Sequence, residues 1–125
     1  MTKATNQISE AVEYDISRKE NRYVICFSYR KAGERRTYDY VYGRGYLKDR
    51  FDIWNLEENG FKSKSAAEKR VRRWILDDQS CGMDIAKASV VKYELAWGQN
   101  ERGCERPIYM KKVDEYVIYE KGDQE

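Results

Sequence analysis

The stretch Arg22 to Lys31, RYVICFSYRK, alternates residue by residue. Tyr23, Ile25, Phe27 and Tyr29 fall in one series and Val24, Cys26, Ser28 and Arg30 in the other. An extended backbone sends successive side chains to opposite faces, so this pattern specifies a strand and excludes a helix. AGERR supplies a turn around Gly33, and TYDYVY resumes the alternation with Tyr38, Tyr40 and Tyr42. Two such runs joined by a short turn make an antiparallel hairpin. Eleven tyrosines among 125 residues point to a broad β-surface that is only partly buried.

A row of rings needs a cover, and residues 62 to 76, KSKSAAEKRVRRWIL, provide one. At about 100° per residue, Ala67, Val71, Trp74 and Ile75 form a single apolar stripe. Ser65 and Glu68 fit a capping box that starts the helix near Ala66, and Ser80, Cys81 and Gly82 end it after Gln79. Val12, Tyr14 and Ile16 alternate like a strand and Arg18 to Asn21 read as a turn. FDIWNL, residues 51 to 56, reads as a further strand closed by Asn59 and Gly60. ASVVKYELAW is another strand, and Pro107 opens IYMKKVDEYVIYE, one long bent strand or two short ones. The predicted fold is therefore α+β, a single domain with a twisted antiparallel sheet of five to seven strands. One main α-helix (about 66–79) packs on one face, and residues 1–10 and 121–125 are loose. The predicted core is Tyr23, Ile25, Phe27, Val71, Trp74, Ile75, Val91, Tyr93 and Leu95.

The formal net charge of +2 conceals an asymmetry. Residues 22–50 hold eight Lys/Arg against three Asp/Glu, and residues 62–73 hold six against one. Lys69, Arg72 and Arg73 project opposite the apolar stripe, while Arg70 sits at its edge, where the stem packs and the head reaches water. Glu68 is the only acid within the basic run, and Lys69 and Arg73 repel at the i,i+4 spacing. Such a cluster fits either an anionic partner or a merely solvated face.

Catalysis finds little support. The chain has no histidine, which removes the commonest general base, the Ser-His and Cys-His pairs and most zinc sites. Glu57-Glu58, Asp77-Asp78 and Asp114-Glu115 are adjacent in sequence and therefore diverge in direction on a helix or strand. Cys26, Cys81 and Cys104 form no metal or redox motif and read as free thiols. No apolar run approaches the about 20 residues a bilayer crossing needs, and the N-terminal residues lack a signal-peptide core. A cytoplasmic protein without cofactor or metal, and not an enzyme, is expected.

In TYDYVYGRGYLKDR, tyrosines interleave with Arg44, Lys48 and Arg50, a combination suited to stacking bases and holding phosphates and equally common in protein interfaces. The candidate binding residues are Lys62, Lys64, Lys69, Arg72 and Arg73 on the helix, with Arg35, Arg36, Tyr42, Arg44, Tyr46, Lys48 and Arg50 on the hairpin. Tyr42 or Tyr46 would stack on a base, and the Gly43-Arg44-Gly45 turn would offer backbone N–H groups to a phosphate. GFKSKSAAEKRV, Gly60 to Val71, resembles the helix start of the arm-type DNA-binding domains of phage integrases and, more weakly, that of double-stranded RNA-binding domains. The likeness consists of a capped helix with basic residues near its start, and it departs at Gly43 to Asn59. Two functions fit: a small nucleic-acid-binding protein, or a phage- or mobile-element-type inhibitor or adaptor, anti-CRISPR-like, that binds a nuclease or another nucleic-acid-binding protein complex. Neither calls for a membrane or a small-molecule substrate.

Overall fold

The computed structural model describes residues 16–31, 33–81, 84–99 and 102–121, with the backbone alone at 77–81. Its elements are β1 (Ile16–Arg30), β2 (Thr37–Gly43), β3 (Tyr46–Lys48), α1 (Ile53–Asn59), α2 (Lys64–Cys81), β4 (Asp84–Gln99) and β5 (Glu105–Glu120). The strands form one antiparallel sheet in the order β3-β2-β1-β4-β5. The chain is thus α+β, as the alternation and the amphipathic helix predicted.

β1 is the central strand, and its alternation now has a physical meaning: Val24 and Ile25 are both fully buried, one on each face. Paired residues of antiparallel strands share a face, so Tyr42, Ile25, Val90 and Tyr116 make one cross-sheet row. That row lies under α2 with Phe27, Phe61, Ala67 and Val71, and Trp74 and Ile75 pack against it. Val24 and its partner Val91 face the other way, together with Phe51, Leu56, Leu95 and Trp97. The core expected as one cluster is therefore two, with the sheet between them. Val91, Tyr93 and Leu95 belong to the side away from α2.

The second cover is α1, where the sequence had suggested a strand. FDIWNL looked extended because Phe51, Ile53 and Trp54 are β-formers, but Asp52 and Asn55 make a reciprocal capping box. Asn55 N–H donates to Asp52 Oδ1 (2.9 Å) and Asp52 N–H to Asn55 Oδ1 (3.2 Å). The chain then passes from one face to the other beside β1: Phe61 exchanges two backbone hydrogen bonds with Tyr23 (2.7 and 2.8 Å) just beyond the end of β2. This passage requires Gly43, because a Cβ there would lie 2.3 Å from the Asn59 carbonyl oxygen.

Other expectations are corrected in detail. Arg18–Asn21 is not a turn but part of the 15-residue β1, paired with β4 throughout. α2 begins at Lys64 because the Ser63 hydroxyl accepts from Ala66 N–H (3.2 Å), and Glu68 pairs with Lys64 (3.6 Å) instead of closing a box with Ser65. Pro107 does not open the last strand but lies near its start, in one 16-residue strand from Glu105 to Glu120 that bends at three register shifts. Lys121 is held, its N–H on Ala86 O and its ammonium on Asp84, both at 2.8–2.9 Å. The expected strand at Val12 and Tyr14 and the expected loose N-terminus lie outside the described residues, as do 122–125.

Candidate functional site

α2 lies over β4 and β1, so one flank of it faces β5 and the other faces β2. The β5 flank carries Lys64, whose ammonium stands 3.8 Å from the Tyr116 ring and pairs with Glu68. The β2 flank is a stripe at i, i+3, i+4 and i+7: Ala66, Lys69, Arg70 and Arg73. With Phe61 it lines an open groove of about 470 Å3. Arg70 anchors this wall by donating from Nη2 to Tyr42 Oη (3.0 Å), its guanidinium 5.5 Å from the Tyr42 ring. Among the described residues, Lys69, Arg70, Arg72 and Arg73 make no ion pair.

Beside this wall, on the same face, β1 and β2 carry a strip of rings. Trp74 meets Tyr42 at 4.4 Å and Phe27 at 5.1 Å, Phe27 meets Tyr40 at 6.1 Å, Tyr40 meets Tyr29 at 5.7 Å, and Tyr29 meets Tyr38 at 5.9 Å. The strip changes character along its length. Tyr42 is only 7% exposed, whereas Tyr29, Tyr38 and Tyr40 are half-buried. Burial among the rings and the neighbouring Tyr40 push the Tyr29 phenol above its ordinary value. The far end carries Arg36 4.6 Å and Lys31 4.9 Å from the Tyr38 ring, and also Glu34, whose carboxylate accepts from the Tyr38 hydroxyl (2.7 Å).

The hairpin residues expected to join the helix divide between the two faces. Tyr42 is core, its hydroxyl accepting from Arg70 and from Gly45 N–H (3.0 Å), so its ring is closed to a base. Lys48 pairs with Val41 and Tyr46 with Gly43, which puts Lys48 on the α1 side, and Tyr46 packs there against Phe51 at 5.9 Å. The Gly43-Arg44-Gly45 turn offers no phosphate cradle: Arg44 N–H is bonded to Asn59 O (2.6 Å) and Gly45 N–H to Tyr42. The Arg44 guanidinium is itself held by Glu58 O (3.0 Å). Lys62 and Arg50 are exposed in the connections flanking the helices, Arg72 is exposed on the flank of α2 away from the groove, and Arg35 and Arg36 are exposed in the β1–β2 turn. The candidate set left out Arg70, Lys31, Tyr29, Tyr38 and Tyr40, although Tyr38 and Tyr40 belong to the stretch in which tyrosines interleave with arginines. The signal for the rings was present in the shared alternation of RYVICFSYRK and TYDYVY.

The α1 face behaves differently. The Arg18 guanidinium sits 3.7 Å over the ring of Trp97 and is bonded to Glu20 and Glu105, and the buried Arg22 is bonded to Glu20 (2.6 Å). The Ser17 hydroxyl and Arg18 hold the Glu105 carboxyl below its usual range. Farther along, Cys26, Asp39, Asp49, Lys87, Ser89 and Glu115 help line a second cavity of about 210 Å3. Lys112 and Ser89 hold Glu115 ionised, and burial raises the Cys26 thiol to about 11, which makes it a poor nucleophile. Among the described residues there is no group of three or more His, Cys, Asp or Glu able to hold a metal ion, and no helix long and apolar enough to cross a membrane. No family model, curated protein or solved structure matches the chain.

Proposed function

We propose that this is a non-enzymatic binding protein that contacts nucleic acid through the α2 groove. The observation that carries the reading is the wall of Lys69, Arg70 and Arg73, cations without an acidic partner among the described residues, beside an aromatic strip. Cations left unpaired along one groove keep their charge for an outside anion, and a polyanion engages several at once. On the α1 face Arg18 and Arg22 are instead bonded to glutamates. A cytoplasmic setting accompanies this reading.

The test is binding of a labelled oligonucleotide followed by fluorescence anisotropy across a salt series. The affinity should fall by about 0.7 to 0.9 log units per log unit of salt for each phosphate contacted. Replacing Lys69 and Arg73 by Gln should make that dependence shallower. Affinity that ignores salt would sink the reading, as would a partner captured from lysate that survives nuclease digestion with no oligonucleotide binding in the purified protein.

A further inference from the structure

We infer that the groove is built for single-stranded nucleic acid, with bases stacked on Tyr38 and Tyr40 and the backbone held at both ends by cations. The inference rests on the nucleic-acid reading above and adds the class of ligand. Tyr38 and Tyr40 are successive residues of one face of β2, and the ring of Tyr29, opposite Tyr38 on β1, stands 5.9 and 5.7 Å from theirs, so the three form a continuous surface. Thr37 to Tyr42 spans about 17 Å of strand, with Arg36 and Lys31 at one end and Arg70 and Arg73 at the other. This order of charge, rings and charge matches a flexible strand whose bases are splayed toward the protein while its phosphates remain in water. A duplex keeps its bases stacked on each other and offers none to such a strip.

The Tyr38 hydroxyl donates to Glu34 (2.7 Å), an edge contact that leaves the ring faces to Arg36 and Lys31. Arg36 and Lys31 are exposed, and a cation over an exposed ring is held more weakly than a stacked base. Either side chain leaves the ring for a phosphate and frees a π-face as it does so. Arg70 is already fixed by Tyr42, so its charge is placed in advance.

The experiment compares a single-stranded oligothymidylate of about 16 nucleotides, the corresponding oligouridylate and a duplex of the same length, at one salt concentration. At least one single strand should bind about tenfold or more tightly than the duplex. Tyr38→Ala and Tyr40→Ala should each weaken single-strand binding by about fivefold or more, with duplex binding and salt slope unchanged, and Tyr38→Phe should restore affinity because the ring is kept. Ultraviolet crosslinking of the unaltered protein to the single strand, mapped by mass spectrometry, decides the matter even if an alanine variant unfolds. Adducts at Tyr38 or Tyr40 support the inference. Equal affinity for duplex and single strand, or adducts confined to other residues, overturns it while leaving the nucleic-acid reading intact. Absence of binding to all three probes overturns that reading itself.

Discussion

On the α1 face, Arg18, Arg22 and Lys112 each have a glutamate partner, and Trp97 is covered by a guanidinium. On the α2 face, Lys69, Arg70 and Arg73 have none among the described residues, and Tyr38, Tyr29 and Tyr40 remain half-exposed beside them. Both faces bury an apolar centre through the same central strand, so the difference does not arise from the needs of folding. A charge satisfied within the chain costs little to keep, whereas a cluster of like charges on one helix lowers that helix's own stability and is balanced only by packing beneath it or by a partner. The sheet thus separates a face whose arginines are bonded to glutamates from one whose groove cations have no acidic partner among the described residues.

The comparison is tested most severely at the two centres. Leu56 of α1 is fully buried, and Trp74 of α2 packs on Phe27 and Tyr42. Leu56→Ala and Trp74→Ala should each destabilise by about 3 kcal/mol in denaturant unfolding. A loss under about 1 kcal/mol for either would mean that its face is not a structural half of the molecule. The next largest effect concerns binding. Lys69→Gln with Arg73→Gln should weaken oligonucleotide binding about tenfold or more and leave unfolding within about 0.5 kcal/mol of the parent, whereas Lys112→Gln on the other face should leave binding unchanged. Comparable losses from both would erase the distinction between the faces.

Ser63→Ala should cost about 1 kcal/mol through loss of the α2 cap, and Ser65→Ala less than half of that. The reverse order, measured by urea unfolding, would restore the capping box read from the sequence. The smallest effect is in acid. Hydrogen bonds from Lys112 and then Ser89 lower the Glu115 carboxyl from 4.5, so the ionised form stabilises the fold. That contribution is present above the unfolded value and is lost as pH falls through the lower folded value. Glu115→Gln should therefore reduce the stability lost between about pH 6 and about pH 3 by a fraction of a kcal/mol, and Lys69→Gln should not. An equal effect from both would place acid sensitivity on the wrong face.

What could be read in advance followed from periodicity. The alternation of Tyr23 to Tyr29 and the apolar stripe of α2 are properties of local order, and both reappear in the fold. The missed elements depend on particular side-chain pairings and on contacts between distant residues. FDIWNL has strand composition, and only the Asp52–Asn55 box and the burial of Leu56 against Val24 and Leu95 turn it into a helix. Arg18–Asn21 looked like a turn until β4 paired with it along its whole length. The candidate site was half legible: helix geometry turned Lys69 and Arg73 outward, and both line the groove, whereas Arg72 falls on the other flank, Tyr42 is buried under α2, and Tyr46, though exposed, lies on the α1 side.

By itself the sequence determined that there would be a sheet with alternating faces, a helix to cover one of them and two stretches rich in positive charge. A backbone's period is set by its own geometry, and side-chain order reveals it. Only the tertiary structure decided which face each charge would occupy. The passage of the chain beside β1 at Gly60 and Phe61 sets α1 and α2 on opposite sides, and the pairing of Val41 with Lys48 and of Tyr42 with Leu47 then sorts the hairpin between them. Residues adjacent in sequence were parted by the sheet, and Arg70 was brought to Tyr42, 28 positions away, because register and packing act across space.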